Sequence, residues 1–481
     1  MKAFKDTQAV NLPFDTGEYL ITWRVSDHEG SHLAIPGLLT VEQGKYPTGI
    51  LYGDLPIDWV AGVASFTQRH IFDVLTGRLS NGVYVVLMNG ELSYSFLGSG
   101  RAVGAFAALS LDAFDTSEHR KYAAIELQIE GLESVAGVAP ILRAKMPVKA
   151  NGEPVWEITV DKDASFTWSV GGELMTFRYD YSVRALNGYE FRMAFGPVLR
   201  LSSDQRLAIV DRWFEWVRPL RQLISLLTGA PRGVRYLLAV VDCAAPRSHR
   251  NQVFGRDITH LPVNSTRAVA EEIRSAVNLA SDNLSLFALL QTWRRQIAAR
   301  HPLFETYGVM ATATDQHPRS RFLLLLQALE EAYGFENRAR HEMDNNKYGL
   351  KRESVLTRAQ QLIDNADFTF IKKNLRWEAQ QGLDSALADL LKRLPDVVSE
   401  DLEKTELIKA VRKTGTGKGT LPLQAALTRV RNALAHGTGS FEPQQLATVA
   451  DILERTVRSE SLRLLGAPLG AQECAAKKGG C

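Results

Sequence analysis

Residues 322–333 read FLLLLQALEEAY, and the apolar side chains in this stretch recur at helical intervals. They occupy positions i, i+3, i+4, i+7 and i+11, so they share one face of an α-helix. Three later stretches repeat this spacing. The four apolar stripes are Phe322, Leu325, Leu326, Leu329 and Tyr333; Leu383, Leu387, Leu390 and Leu394; Leu423, Leu427, Val430 and Leu434; and Leu446, Val449, Leu453 and Val457. Four amphipathic helices predict an α-helical bundle.

A different periodicity runs through residues 17–200, where apolar and polar side chains alternate. Ile125 and Leu127, for example, flank Glu126, a pattern that is typical of a half-buried strand. The pair Gly171–Gly172 lies between two such runs and predicts a two-residue hairpin turn. We therefore expect antiparallel strands packed as a β-sandwich-like region.

The segment between these two regions mixes both patterns. Helical spacing begins at Ser202 and predicts a helix from that residue. Pro219 should kink this helix and Gly229 should end it. Residues 234–241 then read as one buried strand. We interpret residues 201–314 as a mixed, mainly helical connector.

The predicted fold class is α+β with several domains, because a chain of 481 residues is too long for one ordinary core. It comprises an N-terminal antiparallel β-sandwich-like region, a helical connector and a C-terminal α-helical bundle. The expected bounds are residues 1–200, 201–314 and 315–465, with a flexible tail over residues 466–481.

The charge balance limits the class of function. The chain carries 56 Lys and Arg against 54 Asp and Glu, a formal net charge of +2. This excludes a globally basic nucleic-acid-binding protein, so any contact with RNA has to be local. The three cysteines have no metal-ligand spacing, and a reducing compartment fits them best. Without a secretory signal or a membrane-spanning run, we expect a cytoplasmic protein with no membrane partner.

The segment with the most distinctive chemistry ends the third stripe and reads RNALAHG over residues 431–437. Arg431 offers a planar fork for two phosphate oxygens. His436, with a pKa of ~6.5 for an unperturbed imidazole, can give or take a proton at neutral pH. Thr420 is expected to cap this helix and Gly437 to end it. The segment therefore suits cleavage of a phosphodiester.

RNA carries its own nucleophile, the 2′-hydroxyl, so a strand can be cut with a proton acceptor, a proton donor and a cation on the phosphate. No carboxylates and no His or Cys residues have metal-binding spacing, so we predict neither a metal nor another cofactor. The expected product of this route is a 2′,3′-cyclic phosphate.

A structural interpretation competes with this one, because cationic side chains near a helix C-terminus interact favourably with the helix dipole. Residues five apart are also separated by about 140° on an ideal helix. Arg431 and His436 would converge only if the last turn unwinds or another subunit contributes. A second pair, Arg295 and His301, precedes Pro302 and lacks the Asn and Gly of the first.

The C-terminal region, over residues 315–465, resembles the HEPN family, in particular the ApeA-like branch of bacterial anti-phage proteins. The opening FLLLLQALE of the first stripe is similar to the helix that opens the family's bundle. Arg431, Asn432 and His436 match its Arg-polar-x-x-x-His motif. Residues 30–240 resemble the N-terminal region of that branch more loosely.

The resemblance implies a toxin-like endoribonuclease of abortive infection, with Arg431, Asn432 and His436 as catalytic residues. It also implies that Glu330, the fourth catalytic residue, is a polar residue facing the motif that would hold Arg431 or His436. The alternative is that Glu330 is simply a solvated helix residue. The implied substrate is RNA, with transfer RNA as one candidate, and the implied trigger sensed by the β region is a phage protein. The separation of arginine from histidine adds the expectation of a homodimer.

Two other functions stay open. The bundle is either catalytic or an inactive dimerisation or RNA-binding module, and the β region could instead bind a carbohydrate or peptide ligand. Residues 415–420 read GTGKGT, but Arg412 stands where a phosphate-binding loop needs glycine, so we expect a flexible interhelical loop.

Overall fold

The computed structural model divides the chain into two compact units. The first comprises Met1–Thr228 and Arg232–Leu290, and the second comprises Gly229–Pro231 and Gln291–Cys481. The expected connector, residues 201–314, is therefore shared between the two units. The described residues are 8–26, 32–53, 67–95, 99–113, 120–145, 157–161, 163–187, 190–241, 250–313, 315–378, 383–414 and 420–478.

The first unit contains fourteen named strands in its described part. They are β1 (Gly17–Ser26), β2 (His32–Val41), β3 (Thr48–Tyr52), β4 (Thr67–Leu79), β5 (Tyr84–Ser95), β6 (Ser99–Ser110), β7 (Lys121–Ile129), β8 (Ile141–Lys145), β9 (Glu157–Val160), β10 (Phe166–Val170), β11 (Glu173–Asn187), β12 (Glu190–Ala208), β13 (Val234–Val240) and β14 (Arg250–Gly255). Its helices are α1 (Leu132–Ala136), α2 (Ile209–Arg212), a π-helical turn (Trp213–Val217), α3 (Arg218–Thr228), α4 (Arg267–Glu272) and α5 (Leu286–Ala298), which belongs to this unit as far as Leu290.

Twelve of these strands form one antiparallel sheet in the order β10-β11-β12-β7-β13-β14-β6-β3-β2-β1-β4-β5, and β8 pairs with β9 alone. We expected two packed sheets. One sheet forms instead because β6 pairs with three strands: with β5 along one side, and with β3 and then β14 along the other. The β5–β6 pairing closes six strands into a ring, and the other six continue beyond it.

The ring is filled by a large aromatic side chain. Trp23 on β1 is fully buried, and its indole N–H donates to the carbonyl of Ile50 at 3.0 Å. The indole lies against Gly49, where a Cβ would sit 2.6 Å from the ring. Glycine on β3 therefore makes room for the tryptophan that packs the ring.

The strand β7 is buried on both faces, although its alternating sequence predicted one polar face. It pairs with β12 and β13, and every residue from Ala124 to Ile129 is buried whichever face it points to. Glu126 is 1% exposed and lies within 3.0–3.3 Å of the guanidinium groups of Arg178, Arg200 and Arg250. Gln128 exchanges two hydrogen bonds with the backbone of Val263. The polar residues of β7 are thus buried with partners, as such groups must be.

The structure tests two sequence predictions, a hairpin turn at Gly171–Gly172 and a helix that begins at Ser202. The Gly171–Gly172 turn is confirmed, since both residues have positive φ, 57° and 81°, between β10 and β11. The helix predicted from Ser202 is wrong, because β12 continues to Ala208 and the helix begins at Ile209. The buried Arg212 donates to Ser203 and to the carbonyl of Gln205, which holds the bulged end of β12.

The helix that follows β12 changes from α-helical to π-helical geometry just before Pro219. A π-helical turn covers Trp213–Val217 immediately before Pro219, whose missing N–H leaves a carbonyl of the preceding turn without its helical partner. Gly229 follows α3 with φ 70°, as the sequence predicted. The predicted buried strand is β13.

The second unit is helical throughout its described part. It contains the rest of α5, then α6 (Pro302–Met310), α7 (Pro318–Glu336), α8 (Arg338–Leu362), α9 (Asn365–Asn374), α10 (Leu383–Arg393), α11 (Asp396–Lys404), α12 (Glu406–Lys413), α13 (Leu423–Ala435), α14 (Pro443–Leu464) and α15 (Leu469–Ala476). The four predicted stripes lie on α7, α10, α13 and α14, and all their members are buried except the half-buried Tyr333. A coarse architecture of antiparallel sheet plus helices is therefore confirmed.

The end of the chain differs from the flexible tail that we expected. Residues 469–476 form α15, and Cys474 is only 2% exposed. Cys474 also takes part in a disulfide bond, a linkage that is uncommon in reducing compartments. The cysteines therefore do not support the expectation of a reducing compartment. No helix in the described ranges has both the length and the apolar character needed to cross a membrane.

Candidate functional site

The candidate site lies at the C-terminal end of α13. This helix begins at Leu423 with Pro422 as its N-cap residue, so the expected cap at Thr420 is wrong; proline fixes its own φ and begins the helix there. At the other end, the N–H of His436 still donates to the carbonyl of Asn432 at 3.0 Å. Gly437 then adopts φ 67°, a conformation that costs glycine little, and ends the helix as predicted.

The structure brings Arg431, Asn432 and Glu330 together. A guanidinium nitrogen of Arg431 lies 3.5 Å from a carboxylate oxygen of Glu330 on α7. Another nitrogen of Arg431 donates to the side-chain oxygen of Asn432 at 3.1 Å. Because α7 packs against α13, a residue 101 positions earlier in the chain faces the motif. The guanidinium is oriented by both neighbours.

This ion pair is not sequestered from solvent. The side chains of Arg431 and Glu330 are each 34% exposed. Solvent weakens such a pair, so its direct contribution to stability is about 0–1 kcal/mol. An incoming anion can reach the guanidinium, which has further N–H groups to donate.

His436 is the C-cap residue of α13, and its side chain is exposed. In the described part of the chain, its imidazole forms no hydrogen bond, so both ring nitrogens are accessible to a ligand. Because the helical hydrogen bond at residue 436 is kept, the last turn is not unwound. The angular separation of about 140° from Arg431 therefore remains. Within one chain, the structure groups Glu330 with Arg431 but not with His436.

A second arginine reaches the same helix end, and sequence reasoning missed it. Arg319, in the first turn of α7, donates to the carbonyl of Leu434 near the end of α13. The last carbonyls of a helix lack intrahelical partners, so this bond satisfies one of them. Only the packing of two helices distant in sequence reveals the contact; no motif includes Arg319.

The alternative pair Arg295 and His301 does not form a site of this kind. His301 is 2% exposed, and its ring packs against Phe304 and Phe335. Burial lowers the pKa of His301, against the opposing effect of nearby carboxylates. Arg295 instead donates to Thr292 on its own helix. A buried histidine without access to ligand is a packing residue.

The helical unit also contains a cavity of about 550 Å³ with charged walls. Arg321 forms ion pairs there with Asp451 and Glu454, and Arg455 pairs with Asp401 at 2.9 Å. Although burial lowers it, the pKa of Arg321 is raised overall by these carboxylates. Arg321 and Arg455 are thus matched by fixed anions of the cavity wall, which favours a structural network at these two residues over an anion-binding site.

Among the described residues, the glycine-rich segment and Arg429 add no contact to the site. Residues 415–419 of the glycine-rich segment lie outside the described residues, while Arg429 donates to the carbonyl of Thr414 at 3.1 Å. Over the ranges that the structure describes, no three His, Cys, Asp or Glu residues are grouped so that they could hold a metal ion.

Comparison of this chain with protein-family models, with curated proteins and with solved structures finds no match.

Proposed function

We propose that the helical unit is a HEPN endoribonuclease that cuts RNA without a metal, with Arg431 and His436 as its central catalytic residues. The observation that carries this proposal is the exposed end of α13. There an arginine oriented by Glu330 and Asn432 and a solvent-accessible histidine lie on the same short helix. This pairing of a phosphate-binding group with a titratable group is what cleavage by the 2′-hydroxyl requires.

In this mechanism a histidine removes the proton of the 2′-hydroxyl, and the 2′-oxygen attacks the adjacent phosphorus. The bond from phosphorus to the 5′-oxygen breaks, and that oxygen receives a proton from a second acid. Arg431 binds the phosphate oxygens, on which negative charge increases in the transition state. Asn432 and Glu330 act as positioning residues, because both contact the guanidinium of Arg431.

One copy of the chain provides a single histidine at this helix end, and Arg431 lies about 140° away from it around the helix. A homodimer with a two-fold axis near α13 places a second Arg431–His436 segment opposite the first. One His436 then acts as the base and the other as the acid. The alternative of an unwound last turn has no support, since the hydrogen bond from His436 to Asn432 is present.

The biological setting that fits this activity is bacterial anti-phage defence of the abortive-infection type. The antiparallel sheet unit acts as the sensor, with a phage protein as its trigger, and the helical unit cuts RNA, with transfer RNA as one candidate. The resemblance of residues 315–465 and 30–240 to the ApeA-like branch supports this setting.

The decisive test is incubation of the purified protein with total RNA in excess EDTA. We expect cleavage to persist in the chelator and to leave 2′,3′-cyclic phosphate ends, which enzymatic end-labelling identifies. Loss of all cleavage in EDTA, with recovery on addition of Mg²⁺, would contradict the proposal.

A second candidate function is a non-catalytic RNA-binding or dimerisation module. It is favoured by the fact that Arg431 already has partners in the free protein, so the residue has a structural use without substrate. Under this alternative, RNA incubated with the protein stays intact but is retained on a filter.

A further inference from the structure

The hairpin of α8 and α9 leaves the helical unit directly after the helix that carries Glu330, with only Asn337 between α7 and α8. Among the described side chains of α8 and α9, only Arg352 is buried. Residues 338–377 carry nine Lys and Arg against five Asp and Glu, a net charge of +4, whereas the whole chain has +2. The remainder of the chain therefore has a net charge of −2, so the hairpin is more basic than the rest of the chain taken together.

The positive charge on α8 is arranged as a stripe. Arg340, Lys347, Lys351 and Arg358 follow one another at intervals of 7, 4 and 7 residues, and all four are exposed. At 100° per residue these positions fall within about 40° of one another, over a length of about 27 Å. We call these four residues the basic stripe.

The basic stripe has few fixed counter-ions. Asp389 interacts electrostatically with Arg340, and Asp344 follows Arg340 by one helical turn. In the described residues, no carboxylate forms an ion pair within 4.0 Å of any member of the stripe, whereas the neighbouring Arg338 pairs with Glu342 at 3.3 Å. The excess of cations on this helix face is repulsive, which destabilises the helix slightly. A bound polyanion removes this repulsion and releases its own counter-ions.

Exposed aromatic side chains lie on the same hairpin. Phe370 on α9 is 68% exposed, and Trp377 is 73% exposed. The guanidinium of the buried Arg352, which lies about 120° from Arg340 around α8, is 3.9 Å from the centroid of the Trp377 ring and fixes that indole against the hairpin. Aromatic faces beside basic side chains are what single-stranded nucleic acids bind, because bases stack on the rings while phosphates meet the cations.

A membrane surface fits this helix less well. The exposed apolar side chains Met343 and Leu350 lie about 60° and 80° to one side of Arg340, and Leu362 lies about 40° to the other side. The charges therefore occupy the middle of the arc that the apolar side chains flank. In an interfacial membrane helix the middle of the inserted face is apolar.

We propose that the basic stripe of α8 is a docking surface for single-stranded RNA, which binds the phosphates of the substrate while α13 cuts it. The identity of the polyanion as RNA rests on the proposed function. Because no member of the stripe forms a hydrogen bond or an ion pair with Arg431, Glu330 or His436 among the described residues, its loss weakens substrate binding but leaves the chemistry of a bound strand unchanged.

The test uses the full-length chain with His436→Ala, which keeps RNA intact during binding, and a labelled single-stranded RNA of about 25 nucleotides, long enough to cover a stripe of about 27 Å. The variant adds Lys347→Glu and Lys351→Glu. We expect binding to weaken at least about tenfold at 0.1 M salt, and the slope of log K against log salt to fall by about 1.4, since two phosphate contacts to a single strand are lost.

A matched control carries Lys404→Glu and Lys409→Glu, two exposed lysines of the same unit with the same change of charge. We expect this control to bind RNA as the parent does. Lys347→Gln with Lys351→Gln should show a smaller loss in the same direction, and circular dichroism checks that each variant remains helical.

Equal RNA affinity of the stripe variant and the control overturns the proposal. So does preferential binding of the parent to vesicles containing phosphatidylserine, or a change of molar mass in the stripe variant, which would assign the face to a membrane or to a second copy. Cleavage by the chain with native His436 is measured in parallel. If no RNA is cleaved but the stripe variant still loses affinity, the ribonuclease proposal fails and the docking surface stands.

Discussion

At the scale of single residues, the half-exposed Arg431–Glu330 pair contributes little to stability, so its loss should be visible in function and not in folding. We predict that Arg431→Ala and His436→Ala each lower RNA cleavage by at least about two orders of magnitude, the usual effect of losing a phosphate clamp or a general acid–base. Single-turnover cleavage measures the effect.

The matched control is Arg429→Ala, which removes an exposed arginine of the same helix whose guanidinium contacts only the carbonyl of Thr414 among the described residues. Its cleavage rate should stay within a few-fold of the parent. A near-parental rate for Arg431→Ala or His436→Ala would show that the site is misassigned, and a loss of helicity in either would favour a structural role.

A buried histidine in the sheet unit predicts how stability depends on pH. His260 is 8% exposed and has φ 58°, and its ring stacks on Phe254 at 4.2 Å. Neither ring nitrogen has a hydrogen-bond partner in the described residues. Burial lowers the pKa of His260 from 6.5 to about 4.

Between pH 6.5 and 4 the unfolded chain therefore binds a proton at His260 that the folded chain does not bind. The free energy of unfolding should fall by about 3 kcal/mol from this residue as the pH is lowered through that window, and no further below it. Urea titrations at a series of pH values measure this. In His260→Asn, which tolerates positive φ, this part of the pH dependence should be absent; if it persists unchanged, another group is responsible.

The carboxylate of Glu126 is the most heavily paired group of the sheet. We predict that Glu126→Ala lowers the free energy of unfolding by about 1.5–3 kcal/mol, because three partly exposed arginines lose their shared counter-ion and its charged hydrogen bonds. Equilibrium denaturation measures the loss. The exposed Glu91→Ala, on β5, serves as control and should cost about 1 kcal/mol or less. A loss for Glu126→Ala no larger than that of the control would refute the interpretation.

At the scale of elements, hydrophobic periodicity predicted most of the helix faces that are buried in the second unit. The four apolar stripes lie on α7, α10, α13 and α14 as expected, because burial of one helix face leaves its mark in spacing. The same reasoning failed where tertiary partners override local signals. The end of β12 is held as a strand by Arg212, and Ser202 looks like a helix cap only if that contact is unknown.

Part of the candidate site was also predicted from the sequence. A short motif identified Arg431 and His436, and family resemblance indicated that Glu330 faces this motif. Arg319 could not be found, since nothing local to α7 indicates that it reaches Leu434. The hairpin of α8 and α9 has no apolar stripe, so hydrophobic periodicity did not predict it as a separate element.

The exposure of that hairpin yields a prediction about local stability. Because α8 and α9 bury a single side chain between them, we expect their backbone amides to exchange with solvent at least about tenfold faster than those of α7 and α14. Hydrogen–deuterium exchange read by mass spectrometry measures this. Addition of RNA should slow exchange in α8 and leave α14 unchanged; equal protection of all four helices in the free protein would contradict the expectation.

At the scale of the whole molecule, the proposed site needs two chains. We predict a homodimer with a mass of about twice 53.4 kDa by light scattering. Mixing excess His436→Ala chains with native chains should depress activity per native chain, because mixed dimers lack either the acid or the base. Excess Arg429→Ala chains are the control and should not depress it. A monomer that cleaves at full rate would exclude the composite site.

The closed ring of strands also determines how this sheet meets other protein molecules. An open sheet of twelve strands has two unpaired edges, each of which can template the addition of foreign chains and lead to aggregation. Here β5 is bonded on one side to β4 and on the other to β6. At the other end of the strand order, β10 pairs only with Glu173–Phe177 of the longer strand β11, so a free edge remains there on β10 and β11. Closure of the ring therefore removes one of the two ends at which a foreign strand could add, and we infer that this connectivity lowers the tendency of the sheet to form fibrils.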